Sequence, residues 1–432
     1  MFFIQRTKAL ITKSLFFKDL LILMSGTVVA QVITVFVSPI LTRLFSPSAF
    51  GVFGVYMSVV AIVTAVVTMR YDQALMLPKK NKDAAHLFWA SLLSVSGVSV
   101  VSLILCVLFF KQIPFLLEVP ELRVWVLFLP FSIFFAGFYL TLNSWSTRQK
   151  KFKRASISQV IRSSAAAGIQ VSSGIAKVGP VGLIGGAIVG DFFSSLALAV
   201  QVEHSDKQIL REGLHRDSII RMGREYSDFP IYSSAQNFLN AISQNVPVLL
   251  LAKFFGPVVV GYYALGVRVL QLPISLILTS LRQVLFQKAS EVHNNEGDTY
   301  SLFKKTTLGL LALVVIPALL IIIYGPFLFG FVLGRNWVIA GEYARWLVLW
   351  LAVGFVNPPA ILFAQIYRKQ KFLFFQDLVL LIFRVAVLVI GGLYFNPLRT
   401  IIMYSIIGVI FNSFVILYMW GFIRSKQHKN RL

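Results

Sequence analysis

From Leu20 to Trp420 the chain alternates long apolar runs with short polar breaks. As helix, a run of about 20 apolar residues crosses a hydrocarbon core roughly 30 Å thick. Strand-type alternation of apolar and polar positions is absent, which speaks against a β-barrel. The breaks predict twelve spans, at 20–42, 50–70, 85–110, 122–143, 155–178, 181–202, 231–253, 258–281, 304–324, 342–366, 372–394 and 399–421. The expected fold is therefore an all-α integral membrane protein.

Two of the breaks recur. Arg43-Leu-Phe-Ser-Pro-Ser-Ala-Phe-Gly51 lies between spans one and two, and Lys253-Phe-Phe-Gly-Pro-Val-Val-Val-Gly261 between spans seven and eight. Arg43 matches Lys253, Phe45 matches Phe255, Pro47 matches Pro257 and Gly51 matches Gly261, each 210 positions later. Arg148-Gln-Lys-Lys-Phe152, ahead of span five, is echoed by Arg368-Lys-Gln-Lys-Phe372 ahead of span eleven, 220 positions later. Pro and Gly alone are ordinary punctuation of helix ends. Two matches at equivalent places with nearly equal offsets instead indicate a duplicated six-helix unit. The expected organisation is an N-terminal lobe over 1–202, a polar inter-lobe linker over 203–230 and a C-terminal lobe over 231–432. Six helices per lobe make the repeat parallel, related by an axis along the membrane normal. Transporters of this kind hold substrate between their halves.

Composition agrees. Of the 432 residues 57% are hydrophobic and only 13% charged, against roughly 25% charged in a soluble domain. The net charge of +23 would suit nucleic acid, but its position is more informative than its total. The N-terminal arm, Lys79 to Lys82, Arg148 to Arg154, Glu203 to Asp228, Arg282 to Lys305, Arg368 to Lys371 and the tail from Arg424 hold 28 of the 40 Lys and Arg. These segments fall on one side of the membrane, which places both termini in the cytoplasm and leaves no call for a nucleic-acid partner. The basic N-terminus has no small-residue cleavage site and reads as a retained arm. The single cysteine, Cys106, sits in an apolar run, and the five histidines lack ligand spacing, so neither a metal site nor a cofactor is expected.

Charged side chains at membrane depth are costly unless they face protein or a wet cavity. Arg70, Arg162, Arg268 and Arg384 fall within or at the edges of spans, accompanied by Asp72, Asp191 and Asp377. Two readings stay open. The acids neutralise the arginines and hold helices together, or the guanidiniums form an anion site, their planar donors matching phosphate. Asp191 and Asp377 are also candidates for ion coupling, and Asp377 shares a helix face with Arg384. Span seven carries an amide stripe including Gln236, Asn237, Asn240 and Gln244, and span one a sparser one of Gln31, Thr34 and Ser38. Such stripes act as interhelical glue or line a wet path for hydroxyl-rich groups such as sugars. Asn357-Pro358-Pro359 must distort span ten, as a gate or a bend. No Walker loop, Gly-x-Ser-x-Gly or Cys-x-x-Cys motif is present, so no enzyme chemistry is expected.

The run Ser25-Gly-Thr-(x)3-Gln31, then Ser38-Pro39-Ile-Leu-Thr-Arg43-Leu-(x)2-Pro47-(x)3-Gly51, then Arg70-Tyr71-Asp72-(x)-Ala74-(x)2-Leu77-Pro78, resembles the N-terminus of the polysaccharide biosynthesis (Wzx-type) flippases. Arg148 to Ser158 also looks like theirs. These belong to the multidrug/oligosaccharidyl-lipid/polysaccharide exporter superfamily. The resemblance implies a MATE-like twelve-helix exporter in a bacterial inner membrane. Its cargo would be an undecaprenyl-pyrophosphate-linked oligosaccharide of the O-antigen or lipopolysaccharide type, flipped from the cytoplasmic to the periplasmic leaflet. Membrane lipid and other polysaccharide-assembly membrane proteins are the implied partners. On this reading cavity arginines hold the pyrophosphate and amides meet the sugars, which makes Arg162, Arg268, Arg384, Gln31, Asn240 and Gln244 the candidate binding residues. Membership does not transfer particular arginines, so those three rest on depth alone. Arg43, Arg70 and Asp72 are assigned to structure or gating. The lipid II flippase branch normally has fourteen helices, against room for twelve here, and is the more distant relative. A cation-coupled small-molecule exporter of the same superfamily, or a membrane polysaccharide polymerase, are the alternatives.

Overall fold

A computed structural model describes residues 26–294 and 297–429; the N-terminal arm, the start of the first expected span and Ser25 lie outside them. The described residues form α1 (Gly26–Leu44), α2 (Pro47–Val67), the short α3 (Tyr71–Ala74), α4 (Asn81–Leu108), α5 (Gln112–Leu116), α6 (Leu129–Arg148), α7 (Phe152–Ile175) and α8 (Pro180–Glu212). There follow α9 (Arg216–Glu225), α10 (Ser234–Asn294), α11 (Thr299–Leu333), α12 (Val338–Val356), α13 (Pro358–Ile366), α14 (Gln370–Tyr394) and α15 (Pro397–Lys429). No strand occurs among the described residues.

Ten segments among the described residues are long and apolar enough to cross a membrane. One of them, Phe229–Ser275, contains two helices, because α10 breaks at Gly256 (φ 78°, ψ 176°). In addition α7 has the length, 24 residues, but is too rich in Ser, Gln and Arg to stand out as apolar. With the broken helix taken as two and α7 included, the twelve expected spans are accounted for.

The repeated breaks have a common physical origin. Pro47 is the first residue of α2, behind an extended Ser46 whose hydroxyl accepts from the Ala49 N–H at 3.2 Å. Pro257 likewise opens the second half of α10, directly after Gly256. Proline suits this position because its missing N–H would have no intrahelical partner. The second pair of breaks are both Schellman turns, in which a left-handed residue closes the helix. At the end of α6, Lys150 (φ 56°) is that residue, with Lys150 N–H on Thr147 O and Lys151 N–H on Ser146 O. At the end of α13 it is Arg368 (φ 55°), with Arg368 N–H on Gln365 O and Lys369 N–H on Ala364 O. The local geometry therefore equates Lys150 with Arg368, two positions away from the sequence match of Arg148 with Arg368. The expected distortion at Asn357-Pro358-Pro359 is a full break between α12 and α13, with Pro358 again at the first helical position.

The chain forms two compact units that divide between Asn245 and Val246. The stretch 203–230, expected as a solvated linker, is mostly helix: α8 runs on to Glu212 and α9 follows. At 1.5 Å per residue the 33 residues of α8 reach about 50 Å, well beyond a core of about 30 Å. The stretch reads as loop because periodic burial there rests on few residues, among them Asp206 and Leu210 of α8 and Ile219 and Met222 of α9.

Within the N-terminal unit α7 and α8 pack through a stripe of small residues, Gly182, Gly186 and Gly190, four apart on one face of α8. A Cβ at Gly190 would stand 2.8 Å from the Arg162 carbonyl oxygen, and one at Gly186 would stand 2.9 Å from that of Ala166. Backbone cannot retreat as a side chain can. Gly190→Val is therefore expected to cost about 1–3 kcal/mol, as overpacking generally does. Thermal melting in detergent checks this against Gly185→Val, whose Cβ meets nothing within 4 Å. Equal melting of the two variants would remove the close approach as a source of stability. In the C-terminal unit, Phe303, Phe363, Met419 and Ile423 form a fully enclosed core joining α11, α13 and α15.

Candidate functional site

The three deep arginines have different surroundings. Arg162 on α7 is neutralised: its Nε lies 2.5 Å from Oδ1 of Asp191 on α8, and its guanidinium covers the Tyr139 ring at 5.7 Å. Asp191 is buried while Arg162 is half exposed, so the pair holds α7 to α8.

Arg268 lies eleven residues after Pro257, about 16 Å along the helix and so near mid-membrane. It is half-buried, and no carboxylate, hydrogen-bond acceptor or ring engages it among the described residues. Arg384, fourteen residues into α14, is about 21 Å along its helix. Its guanidinium stands 5.3 Å from the Trp350 ring and 5.2 Å from the Tyr404 ring. Cation–π contacts stabilise the charge by about 0.5–2 kcal/mol each without cancelling it. Arg384 Nε and Trp350 Nε1 are both buried donors with no acceptor among the described residues. Buried donors are normally satisfied, which sets this aromatic-lined pair apart as a candidate for an oxygen-bearing partner. The Tyr404 ring also meets that of Tyr263, which shares a helix with Arg268.

Asp377, expected near Arg384, is exposed and forms no ion pair among the described residues; its neighbour Gln376 is the buried one. Seven residues bring two side chains to one helix face but about 10 Å apart along it, too far for contact.

The amides divide by role. Asn237 Nδ2 donates to Ala65 O at 2.7 Å and Asn245 Nδ2 to Ala241 O at 2.8 Å, so these two serve packing and the helix itself. Gln236, Asn240 and Gln244 form an exposed stripe in which Gln244 Nε2 donates to Asn240 Oδ1 at 3.1 Å. Exposed amides on a spanning helix are expensive against lipid and cheap against water. In α1 the Thr34 and Ser38 hydroxyls are spent on their own helix, on Ala30 O and Thr34 O, whereas Gln31 keeps a buried Oε1 without a partner among the described residues.

Arg43 is exposed at the end of α1. Arg70 and Asp72 do not pair. Thr68 Oγ1 donates to Asp72 Oδ1 at 2.7 Å, while Met69 and Arg70 occupy the left-handed region (φ 47° and 59°) and turn the chain out of α2. That region is uncommon for residues with a Cβ, which marks the turn as held by its surroundings.

Two features lay beyond the sequence reading. Trp350 and Tyr404 are ordinary aromatics until folding sets them around Arg384. Asp206 accepts from Trp145 Nε1 at 3.3 Å, Lys151 Nζ at 2.7 Å and Arg154 Nη1 at 2.8 Å. Arg148 meanwhile donates to Leu75 O at 2.8 Å and Pro78 O at 2.7 Å. Thus three residues of the basic cluster at 148–154 fasten α6, α7 and α8 and the connection ahead of α4.

A family model described as polysaccharide biosynthesis protein matches residues 40–342. No curated protein matches the chain. Among solved structures, an inward-facing multidrug resistance MATE family transporter of the MOP superfamily is similar at 16% identity over 92% of this chain and 96% of its own, with a TM-score of 0.71. The lipid II flippase MurJ in an inward closed conformation is similar at 14% identity over 94% of this chain and 90% of its own, with a TM-score of 0.75. An outward-facing MATE family transporter gives 13% identity over 95% of this chain and 96% of its own, with a TM-score of 0.53. MurJ, of the branch expected to be more distant, matches the fold as well as the MATE transporters do. The chain therefore belongs to the polysaccharide biosynthesis protein family, as a multi-pass membrane protein whose fold is similar to those of the MATE transporters and MurJ.

Proposed function

We propose that this protein flips an undecaprenyl-pyrophosphate-linked oligosaccharide from the cytoplasmic to the periplasmic leaflet of a bacterial inner membrane. The cargo would be a repeat unit for surface polysaccharide of the O-antigen type. The observation that carries this reading is the pair of guanidiniums, Arg268 and Arg384, held in membrane-spanning helices with no carboxylate partner among the described residues. A charge kept at that depth without a direct ion pair is well suited to an anion supplied from outside the chain. A pyrophosphate has the planar-donor match and the charge. The exposed Gln236, Asn240 and Gln244 stripe suits the hydroxyl-rich sugars. Fold relatives caught facing inward and outward support alternating access as the mechanism. The orientation follows the basic segments, with both termini cytoplasmic.

The test is reconstitution. Purified protein in liposomes is expected to move a fluorescent pyrophosphate-linked glycolipid between leaflets, and the monophosphate analogue more slowly. Movement of small cationic drugs with no movement of the glycolipid would replace this reading by the small-molecule exporter.

A further inference from the structure

We propose that α9 and the connection between α3 and α4 form a docking surface for anionic lipid headgroups of the leaflet in which the protein's basic face sits. This rests on the cytoplasmic orientation proposed above. The helix is short, ten residues, and sharply two-faced. Its inner face, Ile219 and Met222, is buried, and Met222 packs with Ala74, Leu75 and Leu87. Tyr71 Oη donates to Gly223 O at 3.0 Å from the same side. These contacts fix α9 against the N-terminal unit, so its outer face has a set direction.

That outer face carries Arg216, Ile220 and Arg224, at i, i+4 and i+8, all exposed, with Arg221 beside them. Asp217 and Glu225 are close in sequence, yet none of the three arginines is in an ion pair among the described residues. On the adjoining connection, directly after the buried Leu75, Leu77 is 58% exposed and Lys79 and Lys80 are exposed. Cations interleaved with exposed aliphatics are the composition of a surface that rests on a membrane interface, alkyl groups at the acyl boundary and guanidiniums on phosphates.

Depth agrees with composition. The 28 residues of α4 span about 42 Å, which leaves about 12 Å beyond a core of about 30 Å. The polar Asn81, Lys82, Asp83 and His86 of α4 lie at its N-terminal end, where His86 Nδ1 meets Gly213 O at 2.8 Å just ahead of α9, so the excess length is assigned to that end and to headgroup level. A soluble acidic partner would match the arginines but would leave Leu77 and Ile220 unexplained.

Native mass spectrometry of the full chain in detergent, titrated with phosphatidylglycerol or phosphatidylcholine, tests the proposal. Wild type is expected to retain phosphatidylglycerol preferentially. The Arg216→Gln/Arg221→Gln/Arg224→Gln variant should lose about tenfold in apparent affinity for it, and Lys79→Gln/Lys80→Gln should fall in the same direction. The lysine version of the triple variant should keep most of the binding, and Arg335→Gln/Arg399→Gln should leave it unchanged. Undiminished phosphatidylglycerol retention in both Gln variants overturns the proposal, including where they lose an acidic protein instead. Retention in detergent measures neither transport nor sidedness, so its failure is distinct from failure of the flippase reading.

Discussion

Arg384→Gln and Arg268→Gln are each expected to slow glycolipid translocation about tenfold or more, with a far smaller fall in melting temperature than Arg162→Gln. A hydrogen bond to a charged group is worth about 1.5–3 kcal/mol, which is about 10- to 150-fold in a rate or equilibrium constant. The stability half of the expectation separates binding from structure. Neither arginine forms an ion pair among the described residues. Removing either charge therefore leaves no carboxylate stranded, and relieves the cost of holding a cation at depth. Arg162→Gln is the contrasting case. It strips the buried Asp191 of its partner and should be the variant that melts early. Arg384→Lys keeps the charge beside the Trp350 and Tyr404 rings but loses the planar fork of donors, and should fall between wild type and Gln. Wild-type translocation by both Gln variants, or melting of Arg384→Gln as early as Arg162→Gln, would refute the assignment of these arginines to substrate.

The contrast also shows what a sequence of this kind can and cannot disclose. Helix number and the duplicated breaks were legible because a bilayer imposes a length on every apolar run and because proline and left-handed residues mark helix ends locally. The helices that carry Arg162, Arg268 and Arg384 were legible for the same reason. The pairing of these arginines was not, since it depends on which faces of α7, α8, α14 and α15 meet. Asp191 took Arg162, and Asp377, seven residues from Arg384 and on the same helix face, took nothing. The polar run at 203–230 misled more deeply. Its charges satisfy partners more than fifty residues away in the chain, Asp206 with Lys151 and Arg154, which no local pattern announces.

That same run supplies the largest expected stability change. Asp206 is 4% exposed and collects three donors, of which the Arg154 side chain is itself only 10% exposed. Asp206→Ala would leave the Arg154 guanidinium buried without its counter-ion and Trp145 Nε1 without its acceptor. Breaking a buried pair from one side costs about 3–5 kcal/mol. Lys151, 36% exposed, can turn to water and adds little. The expected result is a large fall in melting temperature in detergent for Asp206→Ala. Most of it should be recovered in Asp206→Leu/Arg154→Met, because an apolar pair of similar volume asks for no compensation. A loss below about 1 kcal/mol in the single variant, the range of an exposed surface pair, would show that water reaches the cluster. The consequence for function is mechanical. Asp206 ties the turn between α6 and α7 to the extension of α8, so a variant that folds without this tie should keep its affinity for pyrophosphate while translocating more slowly.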